Sequence, residues 1–248
     1  MYKNRHVVAV IPARDEALSV GGVIDDIKAL SNEKGISVFD RILVCDNASV
    51  DGTASIASTH GAEVIYQSQA GYGIACLTAL SLIEYTDIVV FVDADASLQI
   101  DEAITLLEAI EAGADLAIGV RKPELQQAGS MTLPQRFGNV LASGLIRIIW
   151  QVPVSDLGPF RAIRFSALQE LQMQDQGFGW TVEMQVKAIQ HSLSMIEVPV
   201  HYRRRLGCSK ISGTLSGVIG AGIGIFSTIF KLALHPRKIP LQPKRPQP

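Results

Sequence analysis

The chain has 248 residues, 48% hydrophobic and 19% charged, with a formal net charge of −2. That composition excludes a disordered chain, and the length allows one large α/β domain with a well-buried core. The near-neutral total hides an asymmetry: residues 1–124 carry 19 acidic and 8 basic residues, whereas residues 125–248 carry 5 and 14. The basic half suits phosphate groups or an anionic membrane surface. No nucleic acid is expected as a partner, because the cations are interleaved with aliphatic runs rather than exposed aromatics. Cys45, Cys76 and Cys208 are far apart and lack metal-type spacing, so reduced, packed thiols are expected. No signal peptide is visible before the first strand.

In chain order, Val7 to Ile11 reads as a strand buried on both faces, and it ends in Pro12-Ala13-Arg14-Asp15-Glu16, where charge appears abruptly. Ser19 is expected to cap a helix through about Leu30, with Val20, Val23, Ile24, Ile27 and Leu30 on one face. The strand Arg41–Cys45 leads into Asp46-Asn47-Ala48-Ser49-Val50-Asp51-Gly52-Thr53, a run of turn formers before a helix start. Asp46 stands at that strand's end, where a carboxylate can accept from a base N–H or a ribose hydroxyl. A helix from Thr53 to His60, a strand from Ala62 to Tyr66, and Gly71-Tyr72-Gly73 opening a further helix continue the alternation. The two glycines permit backbone N–H groups to come close to a phosphate or sugar.

Next comes Ile88-Val89-Val90-Phe91-Val92, a second doubly buried strand, followed at once by Asp93-Ala94-Asp95. Ligands of open α/β sheets bind beyond the carboxyl ends of the strands, so Asp93 and Asp95 stand at the mouth of that crevice. Two hard oxygen ligands one residue apart suit Mg²⁺ or Mn²⁺ held partly by substrate phosphates. The competing reading is a turn, with Asp95 capping the following helix. The β-α-β-α-β order predicts a parallel, doubly wound sheet.

Together the four loops P-A-R-D-E, C-D-N-A-S-V-D-G-T, G-Y-G and D-A-D resemble family 2 glycosyltransferases of GT-A fold, in order and spacing through residue 120. The resemblance implies an α/β fold with a mostly parallel central sheet and flanking helices. It implies that Pro12, Ala13, Glu16 and Asp46 cradle the donor nucleoside, with Arg14 and Gly71 as further donor-binding candidates by position. Asp93 and Asp95 would handle the sugar, diphosphate and metal.

Beyond that point a helix with apolar face Ile104, Leu107 and Ile110 precedes the strand Leu116–Val120. Arg121 to Met131 is polar and Gln-rich and reads as a flexible loop over the site's mouth. Residues 134–151 carry a polar stripe, Arg136, Asn139, Ser143, Arg147 and Gln151. Phe137, Leu141, Leu145, Ile148, Ile149 and Trp150 lie on the other faces. This amphipathic helix belongs either to the core or to a membrane interface.

Val154–Ala162, Phe178–Met184 and His201–Thr214 narrow the resemblance to dolichyl- or polyprenyl-phosphate hexose synthases, whose R-x-G-x-S-K signature is matched by Arg205, Gly207, Ser209 and Lys210. Arg203, Arg204, Arg205 and Lys210 suit a donor diphosphate and an acceptor monophosphate, with Arg203, Arg205, Ser209 and Lys210 as the acceptor-phosphate candidates. Asp95, Asp156, Arg205 and Lys210 are the candidate catalytic residues. Asp156 and Glu183 are the carboxylates available if the acceptor is a hydroxyl that needs a base; with a lipid phosphate, Asp156 would orient the site and Glu183 would support a neighbouring Arg. The family's Gln two residues after the second Asp is replaced here by Ser97, a poorer metal ligand.

From Ile211 to Phe230 there are 20 residues without a charge. Many are Gly, Ser or Thr, so the drive to insert is marginal. Gly213, Gly217, Gly220, Gly224 and Ser227 give a small-residue face whose partner is the 134–151 helix or a second copy of the chain. A helix at the cytoplasmic membrane face, peripheral rather than spanning, is expected. The expected division is a catalytic domain over 1–212, an interface helix over 213–236 and a basic, Pro-rich tail over 237–248. The expected reaction is inverting transfer of a hexose from UDP-glucose or GDP-mannose to a polyprenyl phosphate. A family 2 transferase acting on a sugar hydroxyl, and a noncatalytic nucleotide-sugar-binding protein, are the alternatives.

Overall fold

The computed structural model describes residues 1–31, 35–207 and 215–234. Seven strands, β1 (Val7–Ala13), β2 (Arg41–Asp46), β3 (Glu63–Tyr66), β4 (Ile88–Phe91), β5 (Leu116–Val120), β6 (Arg161–Arg164) and β7 (Met195–Pro199), form one sheet in the order β3-β2-β1-β4-β6-β5-β7. All neighbours are parallel except β6, which runs antiparallel to both β4 and β5. The eight helices among the described residues are α1 (Val20–Ala29), α2 (Thr53–Thr59), α3 (Tyr72–Leu80), α4 (Ala103–Glu111), α5 (Leu133–Trp150), α6 (Phe165–Leu171), α7 (Trp180–Gln190) and α8 (Leu215–Leu234).

The period-2 geometry of a strand explains why β1 reads as an unbroken apolar run. Val7, Ala9, Ile11 and Ala13 belong to the core layer that holds Val20, Val23, Ile24 and Ile27 of α1. Val8 and Val10 belong to the opposite layer, with Ala75, Cys76 and Ala79 of α3. Cys45 and Cys76 are buried and free, and burial lifts the Cys45 thiol to about 12, so both are packing residues. Ser19 does sit at the N-cap of α1, but its hydroxyl donates to Glu16 instead of accepting from the first turn.

The α5 helix starts with a capping box, in which Thr132 accepts from the Gln135 N–H and Gln135 accepts from the Thr132 N–H, and Pro134 adds a preset φ. Its faces are mixed: Ala142, Ile146 and Trp150 are buried and Arg136 and Arg147 exposed, as in a simple amphipathic helix, but two polar residues turn inward and several apolar ones outward. Ser143 is buried and Asn139 accepts the Leu157 N–H, whereas Phe137, Val140 and Ile148 are 71%, 69% and 66% exposed.

The last helix, α8, is docked rather than free. Its Ile229 is fully buried in a third apolar cluster with Ala142, Ile146 and Trp150 of α5 and Val182, Val186 and Ile189 of α7. The closest approach is at Gly179, where a Cβ would lie 2.2 Å from the Thr228 hydroxyl. Of the expected small-residue face, Gly224 meets Phe178 across ordinary contact distance, but Gly220 opens onto empty space, and Gly213 lies outside the described residues. Among the described residues no helix is long and apolar enough to cross a membrane.

Candidate active site

Three parallel strands deliver the site, and each is followed by a loop with a non-glycine residue in the left-handed region. These are Asp15 after β1 (φ 51°), Ala48 after β2 (φ 56°) and Ala96 after β4 (φ 59°). Such a conformation costs an L-residue about 1–2 kcal/mol, so strain is gathered at the sheet's carboxyl edge. Interlocking hydrogen bonds hold it there. Asp15 N–H donates to Ser49 at 2.9 Å, Val50 N–H to Asp15 at 2.8 Å, and Glu16 N–H to Thr53 at 2.8 Å.

A first cavity of about 220 Å³ opens between these loops and α3, lined by Pro12, Ala13, Arg14, Glu16, Gly71, Tyr72, Asp93, Asp95, Phe178 and Arg205. Asn47, not Asp46, completes the lining from β2. Asp46 is buried, with one carboxylate oxygen accepting the Ser49 N–H. The side chain of Asn47 is itself engaged: it accepts the Gly71 N–H at 2.7 Å and donates to the Gln69 carbonyl at 2.6 Å.

Close backbone approach at Gly71 and Gly73 is real, but it is to the 175–177 segment. A Cβ would lie 2.3 Å from the Gln176 carbonyl at Gly71 and 2.0 Å from the Asp175 carbonyl at Gly73. The N–H groups of Gly73 and Ile74 donate to the carbonyls of Gly177 and Gln176. Those amides are therefore committed and do not face a ligand, contrary to the sequence-based expectation.

At the cleft's centre, Arg205 donates to Glu16 at 2.7 Å and lies 3.2 Å from Asp95. The other Asp95 oxygen accepts the Ser97 N–H at 3.0 Å. Asp93 accepts the Tyr72 hydroxyl at 3.1 Å. Burial, then the neighbouring Asp95 charge, push the Asp93 carboxyl up to about 7. Burial also raises the Glu16 carboxyl, with Arg205 opposing it. Ser97 is fully buried and lines neither this cavity nor the next, so it does not stand where a metal ligand would.

Among the described residues no cluster of three or more His, Cys, Asp or Glu could cage a metal. Two adjacent carboxylates fit a divalent ion completed by phosphate oxygens and water, the pattern of Mg²⁺ or Mn²⁺, and do not fit a closed zinc site.

A second cavity, of about 420 Å³, shares Tyr72, Asp93, Asp95, Phe178 and Arg205 with the first. Its other walls are largely apolar: Met131, Phe137, Leu157, Pro159, Ile225 and Phe226. The cation on its lining besides Arg205 is Arg121, the first residue of the segment expected as a flexible loop. Arg121 is forked onto Asp156 at 2.9 and 2.7 Å and lies over the Tyr202 ring at 5.1 Å. The signal was available: Arg121 directly follows β5, as Asp93 and Asp95 follow β4.

Asp156 accepts from the Arg121 backbone and guanidinium and from Leu157 N–H. Burial alone would raise its carboxyl, but the Arg121 bonds and charge outweigh that and hold it low. Each of its two oxygens accepts two hydrogen bonds, which leaves no free lone pair of the kind a base needs. Glu183 accepts the Gln174 and Asp175 N–H groups and pairs with Lys187 at 2.8 Å, not with an Arg, and lines neither cavity.

The three consecutive arginines diverge. Arg205 enters the cleft, whereas Arg203 donates to Gln99 and Arg204 to the Ala128 carbonyl. Arg203 thus lines neither shared cavity. The 121–131 segment, expected as a flexible loop, is stitched to the same stretch, with Gln127 N–H donating to the Tyr202 carbonyl and Tyr202 N–H to that of Leu125. Cys208, Ser209 and Lys210 lie outside the described residues. Beneath the site the fully buried Arg161 donates to the carbonyls of Gly158 and Thr181 and to Gln185, and burial draws its pKa down to about 10.

Strand-end carboxylates over a mostly parallel sheet, with strained loops around them, form a site suited to a phosphate-bearing ligand and a divalent ion. The model of the glycosyl transferase family 2 matches residues 8–172, and the chain belongs to that family. It is 34% identical over 226 residues to an uncharacterized glycosyltransferase of Mycobacterium tuberculosis, covering 90% of this chain and 97% of the relative. It is 28% identical over 239 residues to the dolichyl-phosphate hexose transferase of Haloferax volcanii, covering 95% and 97%. The solved structure of M. tuberculosis glucosyl-3-phosphoglycerate synthase with Mn²⁺, UDP and phosphoglyceric acid superimposes with a TM-score of 0.71 at 20% identity, over 93% of this chain and 79% of that one. The fold is GT-A, and the protein is a glycosyltransferase.

Proposed function

We propose that this enzyme transfers a hexose from a nucleotide diphosphate sugar to a polyprenyl phosphate at the cytoplasmic face of a membrane, with inversion at the anomeric carbon. The observation that carries the reading is the pair of cavities meeting at Asp93, Asp95 and Arg205, one polar-mouthed between strand ends and the other walled by apolar side chains of α5 and α8. A donor diphosphate fits the first. An acceptor with an anionic head and a hydrocarbon tail fits the second, its phosphate beside Arg121.

Pro12, Ala13, Arg14 and Glu16 would hold the nucleoside, and Asp93 and Asp95 a Mg²⁺ or Mn²⁺ ion together with the diphosphate. The bound ion would supply electrostatic offset for the charge that grows on the departing diphosphate. Arg205, already between Glu16 and Asp95, would turn onto that diphosphate and add to the same stabilisation. Asp156 would fix the Arg121 side chain at the cavity wall, so that its charge stands beside the acceptor phosphate. Because that phosphate is anionic at neutral pH, no base is required. The engagement of Asp156 and Glu183 in internal bonds favours it over a hydroxyl acceptor.

The outer surfaces of α5 and α8 support peripheral membrane contact. Phe137, Val140 and Ile148 on one helix and Ile219, Ile223 and Phe230 on the other are exposed, and the sequence has no acidic residue after Glu197. The relative named a dolichyl-phosphate hexose transferase points the same way.

The test is transfer of radiolabel from UDP-glucose, and in parallel from GDP-mannose, into organic-extractable undecaprenyl phosphate, with Mg²⁺ or Mn²⁺ and an EDTA control. Metal-dependent labelling of the lipid by one donor is expected. Donor binding without lipid labelling would move the acceptor to soluble hydroxyl or phosphorylated compounds, such as the phosphoglyceric acid of the superimposed synthase.

A further inference from the structure

Gly138 on α5 and Gly222 on α8 both line the apolar cavity, and a Cβ added at either would meet nothing within 4 Å. A packed helix interface leaves no such space. Where α8 does press on its neighbours, the gap is closed, with Gly224 against Phe178 and Gly179 against Thr228. Thus within one helix two glycines two residues apart have different surroundings: Gly224 abuts Phe178 and Gly179, just before α7, and Gly222 abuts the cavity. The void belongs to the same cavity that holds Asp93, Asp95, Arg121 and Arg205 on its lining.

We infer, resting on the polyprenyl-phosphate reading, that Gly138 and Gly222 determine acceptor specificity by leaving open the slot through which the hydrocarbon chain leaves the catalytic centre. The occupant follows from the lining. Beside Asp93, Asp95, Arg121 and Arg205 the lining is mostly aliphatic and aromatic, with Gln135, Asn139 and Thr181 as its uncharged amide and hydroxyl groups, so an amphiphile with a charged head and an apolar tail matches it. A compact, wholly polar acceptor would need no slot and would leave Phe226 and Ile225 facing water. Glycine is otherwise a poor choice inside a helix, costing roughly 0.5–1 kcal/mol relative to Ala at each position, and two such positions on one cavity are explained by the space they keep.

The experiment fills the slot. Gly138→Leu and Gly222→Leu are compared with the wild type using undecaprenyl phosphate and geranyl phosphate, presented in the same detergent micelles. Both substitutions raise helix propensity, so loss of folding is not the expected outcome. Gly220→Leu and Gly144→Leu are the controls, since each also faces open space but neither lines this cavity. The expected result is a KM for undecaprenyl phosphate raised at least about tenfold in the cavity variants, with geranyl phosphate use and donor KM unchanged, and with both controls like the wild type.

Unchanged discrimination between the two acceptors in both cavity variants, or an equal loss in the controls, would overturn the slot while leaving polyprenyl transfer intact. Failure of the wild type to label either lipid would overturn the acceptor reading and the slot together.

Discussion

The two cavities share Asp93, Asp95 and Arg205 but are built by different means. The first is closed by loops at the ends of β1, β2 and β4, whose left-handed residues are held by hydrogen bonds between loops, over a sheet buried on both faces. The second is closed by helices α5 and α8, whose apolar residues line the cavity and also cover the molecule's outside. A rigid sheet edge positions charges to a fraction of an ångström, as chemistry on a diphosphate requires. A helical groove needs only the right width and polarity, which suits a flexible hydrocarbon.

The comparison breaks most severely at the shared carboxylates. Asp95→Asn is expected to lower transfer on the order of a thousandfold, with folding preserved. Initial rates of lipid labelling check this, and a rate close to that of the wild type would detach Asp95 from the chemistry.

On the apolar side, Arg121→Gln leaves Asp156 buried and unpaired, and should cost about 3–5 kcal/mol in urea unfolding. The double change Arg121→Met, Asp156→Leu should recover much of that stability without recovering turnover, which separates the structural from the acceptor-binding role of the pair. Since Arg121 holds the Asp156 carboxyl low, the pair's contribution is complete above the usual carboxylate range and fades as pH falls through the folded-state value.

The donor side should show its own pH dependence. With Asp93 near 7 in the metal-free protein, a bound proton competes with the ion, so Mn²⁺ affinity should fall about tenfold for each pH unit below 7. The folded state holds this proton more tightly than the unfolded chain does. Metal-free stability therefore declines as pH rises from the ordinary Asp range toward 7, the opposite sign to Asp156. Titration of Mn²⁺ by electron paramagnetic resonance between acid and neutral pH measures the slope, and Asp93→Asn should abolish it.

Smaller effects sharpen the contrast. Val140→Ser or Ile223→Ser, neither of which lines the acceptor cavity, should weaken binding to anionic vesicles by about tenfold each, the value of one buried aliphatic side chain, with micellar activity retained. Sedimentation with vesicles reads this directly. Glu183→Gln should change turnover least and cost roughly 1–2 kcal/mol of stability, because its bonds are to the 174–175 backbone and Lys187. Abolished transfer in a folded Glu183→Gln protein would reopen the hydroxyl-acceptor mechanism.

The strands and the metal-side carboxylates were legible because a doubly buried strand must be a continuous apolar run, and charge placed directly after it has only the crevice to enter. That logic located Glu16, Asp93 and Asp95, and applied once more it would have found Arg121. It did not show that the Gly73 and Ile74 amides bond to the 175–177 segment, because whether a strand-end loop meets a ligand or another loop depends on residues more than a hundred positions away.

By itself the sequence determined the alternation of strands and helices, the family, the acidic centre and the basic second half, since each depends on local periodicity and short motifs. Only the tertiary structure decided that Arg205 alone of its triplet enters the cleft and that Asp156 serves Arg121. It likewise decided that Asn139 and Ser143 of α5 turn inward and that α8 completes a cavity instead of merely covering the domain. Those outcomes turn on which surfaces compete for the same partner across long sequence separation, and no local pattern carries that information.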